Sequence, residues 1–286
     1  MKCVVHLVDA SPYIFRAYFA LPESLTDPSG RPVNAVYGFK EFLLRLAATE
    51  QPTHVGVAFD ESLTTSFRNE IYPEYKAQRD LPPAALEAQL KDCQEVAAAL
   101  GAAVFLSHRY EADDLIATLV YQLDAQGHGA VVVTSDKDLA QLVSERVTLL
   151  DFARDIRYGP AEVEEKFGVR PDQIADLLAL AGDTVDNIPG VKGIGPKTAV
   201  ALLRAFGNLD QIYASLAEVA DLPLRGAASV QRKLAEQRDA AYLSRRLSVV
   251  ARDAPAEADL DKLRYEGADV ALVGPLFERL GFGRPE

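Results

Sequence analysis

Three carboxylates lie within four residues at Glu111, Asp113 and Asp114, and apolar residues at helical spacing follow them. The spacing predicts an amphipathic helix whose first turn is acidic, as the helix dipole favours. Taken alone, the pattern fits an acidic, solvated helix start equally well. Further acids follow strand-like apolar runs or form a pair three residues apart, and the whole candidate set is Asp9, Asp60, Glu111, Asp113, Asp114, Asp136, Asp138, Asp183 and Asp186. If the fold brings these side chains together, their repulsion requires raised pKa values or bound cations, and hard divalent ions are the usual partners of oxygen ligands.

Short apolar runs with many β-branched residues predict the strands that would position these acids. The runs cover residues 3–8, 54–59, 103–106, 130–134 and 147–151, and helical patterns such as 36–48 and 84–100 lie between them. This alternation predicts an α/β fold with a mainly parallel central sheet and helices on both faces. Asp9, Asp60 and Asp136 each end a strand-like run or follow one, and ligands of such sheets bind beyond the carboxyl ends of the strands. We therefore expect the acids to meet at one edge of the sheet.

The second half of the chain has almost no strand pattern. We expect an α/β domain at residues 1–170 and an all-α region at residues 171–286. A tight turn leading into a helix start is predicted by Gly190, Gly193, Gly195 and Pro196. Its backbone N–H groups, flanked by Lys192 and Lys197, would form a phosphate site. Residues 190–206 carry cations and no acid, which favours phosphate binding over a simple connector. The cations of residues 225–246 are consistent both with a solvated helix face and with a surface that follows a nucleic-acid backbone.

Residues 66–83 are rich in cations and aromatic residues. They include Arg68, Lys76 and Arg79, two tyrosines of which one is Tyr75, and three prolines. They follow Asp60 closely, so phosphate contacts are favoured over a solvated loop. Phe15 lies close to Asp9 in the sequence and is the aromatic residue we retain as a base-stacking candidate.

Composition limits the remaining possibilities. The chain has 286 residues, 49% of them hydrophobic and 25% charged, so it can bury an ordinary core. No apolar run reaches the ~20 residues of a membrane span, the first residues do not resemble a signal peptide, and two cysteines suit a reducing, cytoplasmic compartment. The net charge of −12 argues against a nucleic-acid partner at first sight, but it falls to −3 when the nine candidate acids are set aside.

Several motifs occur together and in order along nearly the whole chain. They are Ala35–Phe39, Phe59-Asp60, Phe67-Arg68, Tyr72–Arg79, Tyr110–Asp114, Ser135–Asp138, Gly182-Asp183, Asp186–Gly190 and Gly193–Lys197. In this combination the chain resembles the 5′-nuclease (flap endonuclease) family, which includes the 5′→3′ exonuclease domain of bacterial DNA polymerase I. The resemblance implies a PIN/5′-nuclease-like α/β domain with a helical arch at about residues 66–83, followed by a helix–hairpin–helix (H3TH) region.

The resemblance also implies site residues and cofactors. All nine acids would hold two divalent ions, usually Mg²⁺ with Mn²⁺ as a substitute, and Lys76 and Arg79 would act on the scissile phosphate. DNA contacts are expected at Phe15, Arg68, Tyr75, Lys76, Arg79, Gly190, Lys192, Gly193, Gly195, Lys197 and Thr198. A potassium ion at the hairpin would lie at Val191 and Ile194. Asp80-Leu81 departs from the family's proline-rich run after the arch arginine, and no polymerase region follows, so a stand-alone enzyme is expected.

The expected substrate is DNA with 5′ flaps or 5′ ends, cut by a monomer acting in replication or repair. One alternative is a DNA junction-binding protein without catalysis, which gaps in the acid set would favour. A second is an RNA-directed metal nuclease, although small domains of that kind lack the glycine hairpin. A third, a phosphotransferase acting on small phosphates, would leave the basic hairpin without a role.

Overall fold

The structure is a computed structural model that describes residues 2–61, 66–80 and 82–283. The described residues form six strands: β1 (Val4–Asp9), β2 (Val55–Asp60), β3 (Ala103–Ser107), β4 (Gly129–Val133), β5 (Val147–Asp151) and β6 (Ile156–Tyr158). Helices of the first half are α1 (Ser11–Ala20), α2 (Asn34–Glu50), α3 (Phe67–Ile71), α4 (Ala84–Ala99), α5 (Ala112–Ala125) and α6 (Pro160–Phe167). Those of the second half are α7 (Ile174–Ala181), α8 (Pro196–Phe206), α9 (Leu209–Ala214), α10 (Ala227–Glu236), α11 (Arg238–Ser248), α12 (Leu260–Leu263) and α13 (Val270–Leu280). Short 3₁₀ turns cover Asp138–Leu142, Pro171–Gln173 and Leu216–Asp221.

The sheet has the strand order β3-β2-β1-β4-β5-β6. All neighbouring pairs are parallel except β5 and β6, which pair antiparallel. The chain moves outward from β1 through β2 to β3 and then returns to place β4 on the other side of β1. The strand order therefore reverses between β1 and β4, and the carboxyl edge at such a point is where open α/β sheets bind ligands. The predicted α/β fold is confirmed.

Helices cover both faces of the sheet. Successive side chains of a strand point to opposite faces, so each strand contributes to both cores. On β1, Val5 and Leu7 pack in one core with α5, whereas Val8 packs in the other core with α1, α2 and α4. Strands buried on both faces must be apolar throughout, which is why their sequence shows continuous apolar runs.

The helical second half packs on the α5 face of the sheet. Apolar residues of α7 and α8, such as Leu178 and Leu202, belong to the same core as Leu115 and Leu119 of α5. The α13 helix instead returns to the opposite face, where Leu276 and Leu280 join the core of α2 and α4. None of the described helices is long and apolar enough to cross a membrane.

Three elements of the first half of the chain were not expected from the sequence. Helix α1 begins with Pro12 in its first turn, and Tyr13, Ile14, Ala17 and Tyr18 form its buried stripe. Strand β6 and helix α6 are short, with three and eight residues, and their periodicity is too brief to distinguish from a loop.

The segment expected to form the arch is helical over α3 only, and turns follow as far as Arg79. Leu81 lies outside the described residues. The turns contact the loop between α7 and α8, where the Lys76 N–H donates to the Asp186 carbonyl at 3.0 Å and Asn187 Nδ2 donates to the Glu74 carbonyl. Lys76 and Asn187 both adopt the left-handed backbone conformation, with φ of 56° each, which is uncommon for residues other than glycine. This contact brings the cations Lys76 and Arg79 against the loop that carries Asp183 and Asp186.

Candidate active site

A cleft of about 280 Å³ lies at the carboxyl edge of the sheet, beside the reversal of strand order. The ends of β1 and β2, the start of α5 and the loop after β4 all contribute acids to it. Five members of the predicted set line this cleft: Asp9, Asp60, Glu111, Asp113 and Asp136. A larger cavity of about 360 Å³ lies between α1 and α2, but its lining holds a single acid, Glu41, which pairs with Lys40 at 2.7 Å. The chemistry therefore points to the smaller cleft.

The other four acids of the set surround the cleft without lining it. Asp138 follows directly, and its N–H donates to Asp136 Oδ1 at 2.8 Å. Asp183 and Asp186 lie in the loop between α7 and α8, on the side of the cleft that faces the second half of the chain. Asp114 lies beneath the cleft and is fully buried.

The cleft carries more negative charge than its surroundings balance. Burial, followed by repulsion from Asp60, raises the pKa of Asp9 to about 8. Burial and repulsion from Asp136 raise the pKa of Asp138 to about 7, and the same two causes raise the pKa of Asp113. The pKa of Asp136 is also raised, mainly by burial. The raised pKa values mean that, without a bound cation, these carboxyl groups lose their protons less readily than exposed carboxyl groups do.

The residues present suit divalent cations. Asp138 Oδ1 is a buried oxygen without a hydrogen-bond partner, and Asp113 makes no hydrogen bond or ion pair with any described residue. Oxygen donors in excess of their protein partners are the ligands that Mg²⁺ and Mn²⁺ accept. Among the described residues, however, no three acid, histidine or cysteine side chains are already arranged around a common ion position. Basic side chains hold four acids of the predicted set in ion pairs: Glu111, Asp114, Asp183 and Asp186.

Lys76 is a basic side chain in the lining of the cleft. Its Nζ lies 2.5 Å from Glu111 Oε1 and 3.7 Å from Asp186 Oδ2, and 20% of the side chain is exposed. Burial would raise the pKa of Glu111, but Lys76 and Arg68 more than offset it and lower that pKa. Arg79, at the rim of the cleft, pairs with Asp186 and is half-exposed. Both cations therefore lie at the acidic edge, and both are partly exposed to solvent.

Three residues that were predicted to contact DNA are buried in the structure. Arg68 is 2% exposed and Tyr75 is 4% exposed, so neither side chain offers a surface to DNA. The Tyr75 hydroxyl is directed at the acids, 3.1 Å from Glu111 Oε2 and 3.1 Å from Asp186 Oδ2. Gly190 is buried, and its N–H donates to Ser244 Oγ at 2.9 Å. The sequence interpretation assigned these residues to the surface because their basic, aromatic or glycine-rich context is typical of loops.

The glycine hairpin between α7 and α8 presents the remaining predicted contacts on the surface. Lys192, Gly193, Gly195 and Lys197 are exposed, and Thr198 is half-buried in the first turn of α8. The N–H groups of Gly193 and Gly195 have no hydrogen-bond acceptor among the described residues, so they are free to donate to an anion. Val191 and Ile194 have buried side chains, so only their carbonyl oxygens are suited to a cation.

Phe15 lies where the sequence placed it, on α1 in the lining of the acidic cleft. Its ring is half-buried. The ring therefore belongs to the same cleft lining as Asp9 and Asp60, and part of it is exposed to solvent.

Some residues of the site were missed by the sequence analysis. Ser11 Oγ donates to Asp60 Oδ2 at 2.6 Å, and Thr134 Oγ1 donates to Asp9 Oδ2 at 2.8 Å. Lys137 pairs with Asp183, and Lys233 of α10 donates to the Gly193 carbonyl at 3.1 Å. The polar residues next to a strand-end acid were the available signal for Ser11 and Thr134. Nothing in the local sequence pairs Lys233 with the hairpin.

Two family models together cover most of the chain. Residues 4–168 match the model described as 5′-3′ exonuclease, N-terminal resolvase-like domain, and residues 169–271 match the model described as 5′-3′ exonuclease, C-terminal SAM fold. The chain belongs to the 5′-3′ exonuclease family. DNA polymerase I of Bacillus caldotenax is 42% identical over 287 residues, which is 99% of this chain and 32% of the relative. DNA polymerase I of Pseudomonas aeruginosa is 43% identical over 262 residues, covering 91% of this chain and 28% of the relative. This 5′-3′ exonuclease family chain thus spans about a third of the length of the curated relatives it matches.

Solved structures of similar fold include members that hold metals and DNA. The bacteriophage T5 flap endonuclease, in a pseudo-enzyme–product complex with DNA and metal ions, has a TM-score of 0.69 and 26% identity, with 86% of this chain and 88% of that chain covered. The T5 5′-exonuclease with bound zinc has a TM-score of 0.67 and 25% identity, with 86% and 89% covered. The catalytic core of Rad2 in complex with DNA substrate has a TM-score of 0.63 over 98% of this chain and 88% of that chain, and at 16% identity it shows the shared fold alone.

Proposed function

We propose that this protein is a divalent-metal-dependent 5′ nuclease that hydrolyses DNA phosphodiester bonds at 5′ flaps and 5′ ends. The observation that carries the proposal is the acidic cleft, where four chain segments converge on five carboxylates with Lys76 and Arg79 among them. Membership of the 5′-3′ exonuclease family supports it, as do the T5 enzymes of similar structure, one with bound zinc and one with DNA and metal ions.

The metal ligands would come from the acids of the cleft and its surroundings. Asp9, Asp60, Glu111, Asp113 and Asp136 line the cleft, and Asp138, Asp183 and Asp186 lie beside it. Two ions, Mg²⁺ or Mn²⁺, would lower the pKa of a bound water and stabilise charge on the leaving oxygen. Asp113 and Asp138 are the strongest candidates for metal ligands, because each has a carboxylate oxygen without a hydrogen-bond partner among the described residues.

The basic side chains of the edge would stabilise charge on the substrate. Glu111 and Asp186 hold the Lys76 ammonium in the cleft, so the cation would already be in place when DNA binds. Negative charge would develop on a phosphate in the cleft during hydrolysis. This ammonium, already fixed in the cleft, would stabilise that charge in the transition state. Arg79 would contribute a second cation from the rim. Phe15 would stack on an unpaired base at the entrance.

The glycine hairpin would bind the phosphate backbone of the duplex. Gly193 and Gly195 offer free N–H groups at the start of α8, with Lys192 and Lys197 exposed beside them. A potassium ion at the carbonyl oxygens of Val191 and Ile194 would add a fixed positive charge there. We further propose the domain division at residues 1–170 and 171–286, supported by the change of family model at residue 168, and a monomeric, cytoplasmic enzyme of replication or repair.

The test is cleavage of a 5′-labelled double-flap DNA, with Mg²⁺ and with EDTA, beside the same flap made of RNA. Cutting near the flap junction in Mg²⁺ and none in EDTA is expected. Tight flap binding without cutting in Mg²⁺ or Mn²⁺ would contradict the nuclease and favour a junction-binding protein. Cutting confined to the RNA flap would instead favour an RNA-directed enzyme.

Replacing Lys192 and Lys197 together with alanine is expected to weaken duplex binding and its dependence on salt. Each phosphate contact contributes about 0.9 to the slope of log affinity against log salt, so the slope should fall by about 1–2. Fluorescence anisotropy of a labelled duplex at several salt concentrations measures it. Lys262→Ala removes an exposed lysine of α12 and should leave the slope unchanged. An unchanged slope in the double variant would rule out Lys192 and Lys197 as phosphate contacts.

A further inference from the structure

Arg68 and Asp114 form a buried ion pair beneath the acidic cleft, where α3, α5 and the end of α11 meet. Arg68 is 2% exposed and Asp114 is fully buried. The pair is bidentate, with Arg68 Nη1 at 2.8 Å from Asp114 Oδ2 and Arg68 Nη2 at 2.8 Å from Asp114 Oδ1. A planar, bidentate pair of this kind fixes the relative orientation of the two side chains as well as the distance between them.

Every hydrogen-bonding position of Asp114 is taken by the protein. Besides the two bonds from Arg68, Oδ1 accepts the Ala251 N–H at 2.8 Å and Oδ2 accepts the Glu111 N–H at 3.1 Å. An ionised carboxylate offers about four lone-pair sites, so this one has none left for a metal ion. Its neighbour Asp113 differs in this respect, because it lines the cleft and has no hydrogen-bond or ion-pair partner among the described residues.

The donors of Arg68 are also fully used. Nε donates to the Leu247 carbonyl at 2.8 Å, and Nη2 donates to the Val249 carbonyl at 3.2 Å. Nη1 donates to Glu111 Oε2 at 2.9 Å. With the two bonds to Asp114, these account for all five N–H groups of a guanidinium. Arg68 therefore has no donor left for a DNA phosphate.

We propose that Arg68 and Asp114 are positioning residues that bind neither metal nor DNA. They hold Glu111 by its backbone and its side chain, and they fasten the chain from Leu247 to Ala251 to the acidic edge. The consequence for catalysis rests on the proposed nuclease function, because Glu111 is there a metal ligand and the partner of Lys76. The structural role does not depend on that function and is tested separately.

The first test compares thermal unfolding of Asp114→Asn and Asp113→Asn in EDTA. Asp114→Asn removes the bidentate carboxylate of the buried Arg68 cation and leaves Glu111 as its paired acid among the described residues, so the melting temperature should fall by roughly 5–15 °C. Asp113→Asn removes a half-buried, unpaired charge from a repelling cluster, so its melting temperature should stay equal or rise. Arg68→Met combined with Asp114→Asn should melt no lower than the worse of the two single variants, because the charges then leave together.

The second test counts bound Mn²⁺ by electron paramagnetic resonance below the melting temperature of each variant. Asp114→Asn should bind as many ions as the wild type, about 10–100-fold more weakly, as for residues that orient metal ligands. Asp113→Asn should bind fewer ions. Arg68→Lys keeps the charge but not the planar set of donors, and it serves both tests if Asp114→Asn does not fold. It should melt below the wild type and retain the ion count.

Two results would overturn the proposal. One is an Asp114→Asn protein that melts no lower than Asp113→Asn and binds fewer Mn²⁺ ions than the wild type. The other is Arg68→Lys melting at the wild-type temperature. If the wild type binds no Mn²⁺ and cuts no flap, the nuclease proposal fails, and the order of melting temperatures still decides the role of the pair.

Discussion

Asp136→Ala is expected to reduce flap cleavage at least about 10³-fold, because metal-ion stabilisation of the transition state is worth several kcal/mol and each 1.4 kcal/mol is a factor of ten. Asp136 lies at the reversal of strand order, lines the cleft and repels both Asp113 and Asp138. Its removal should therefore disturb the proposed metal ligands without destabilising the fold. Single-turnover cleavage of labelled flap DNA in saturating Mg²⁺ measures the loss.

The matched control for this variant is Asp124→Asn. Asp124 lies on α5 like Asp113, but at the other end of the helix, where it makes an exposed pair with Arg146 at 2.7 Å. Exposed pairs contribute roughly 0–1 kcal/mol, so cleavage should be unchanged. Asp136→Ala should also melt in EDTA no lower than the wild type. Cleavage by Asp136→Ala at near wild-type rate would show that the cleft is not the site of hydrolysis.

Lys76→Met is expected to lower the cleavage rate about 10²–10³-fold, the usual effect of removing one fixed group that stabilises developing charge. The ammonium already lies within 4 Å of two acids, Glu111 and Asp186, so the protein holds it in place before substrate binds. Because the interaction with substrate charge is strongest in the transition state, flap affinity should change much less than rate.

Two measurements isolate the role of the Lys76 charge. Glu111 keeps Arg68 and Tyr75 as partners in Lys76→Met, so circular dichroism should show a folded protein. Lys166→Met, on α6, removes a cation that contacts Tyr158 and Phe167 and should leave the rate unchanged. If Lys76→Met weakened binding and rate equally, Lys76 would be a simple DNA contact.

Local sequence patterns predicted the five parallel strands of the sheet, because the geometry of parallel strands leaves a clear signal in the sequence. Strands buried on both faces need continuous apolar runs, and strand ends in one direction meet at one edge. Asp9, Asp60 and Asp136 could therefore be assigned to the same edge without any knowledge of tertiary contacts. Short elements such as β6 and α6 were missed because a few residues do not establish a period.

The state of each acid could not be obtained in the same way. Asp113 and Asp114 are neighbours on one helix with the same side chain, yet one lines the cleft and the other is enclosed. Asp114 is paired with Arg68, which lies 46 residues from it in the sequence. Arg68 also binds the carbonyl of Leu247, which lies 179 residues from Arg68. Likewise, Tyr75 and Gly190 have loop-like local sequences, and only packing against distant segments buries them.

The sequence by itself determined the fold class, the family and the edge at which the acids gather, because these follow from periodicity and from residue types in a fixed order. The tertiary structure alone decided which carboxylates remain without partners and which are held by Arg68, Lys76, Arg79 and Lys137. The physical reason is that charge pairing depends on distances of a few ångströms between segments far apart in the chain, and local sequence patterns do not encode those distances.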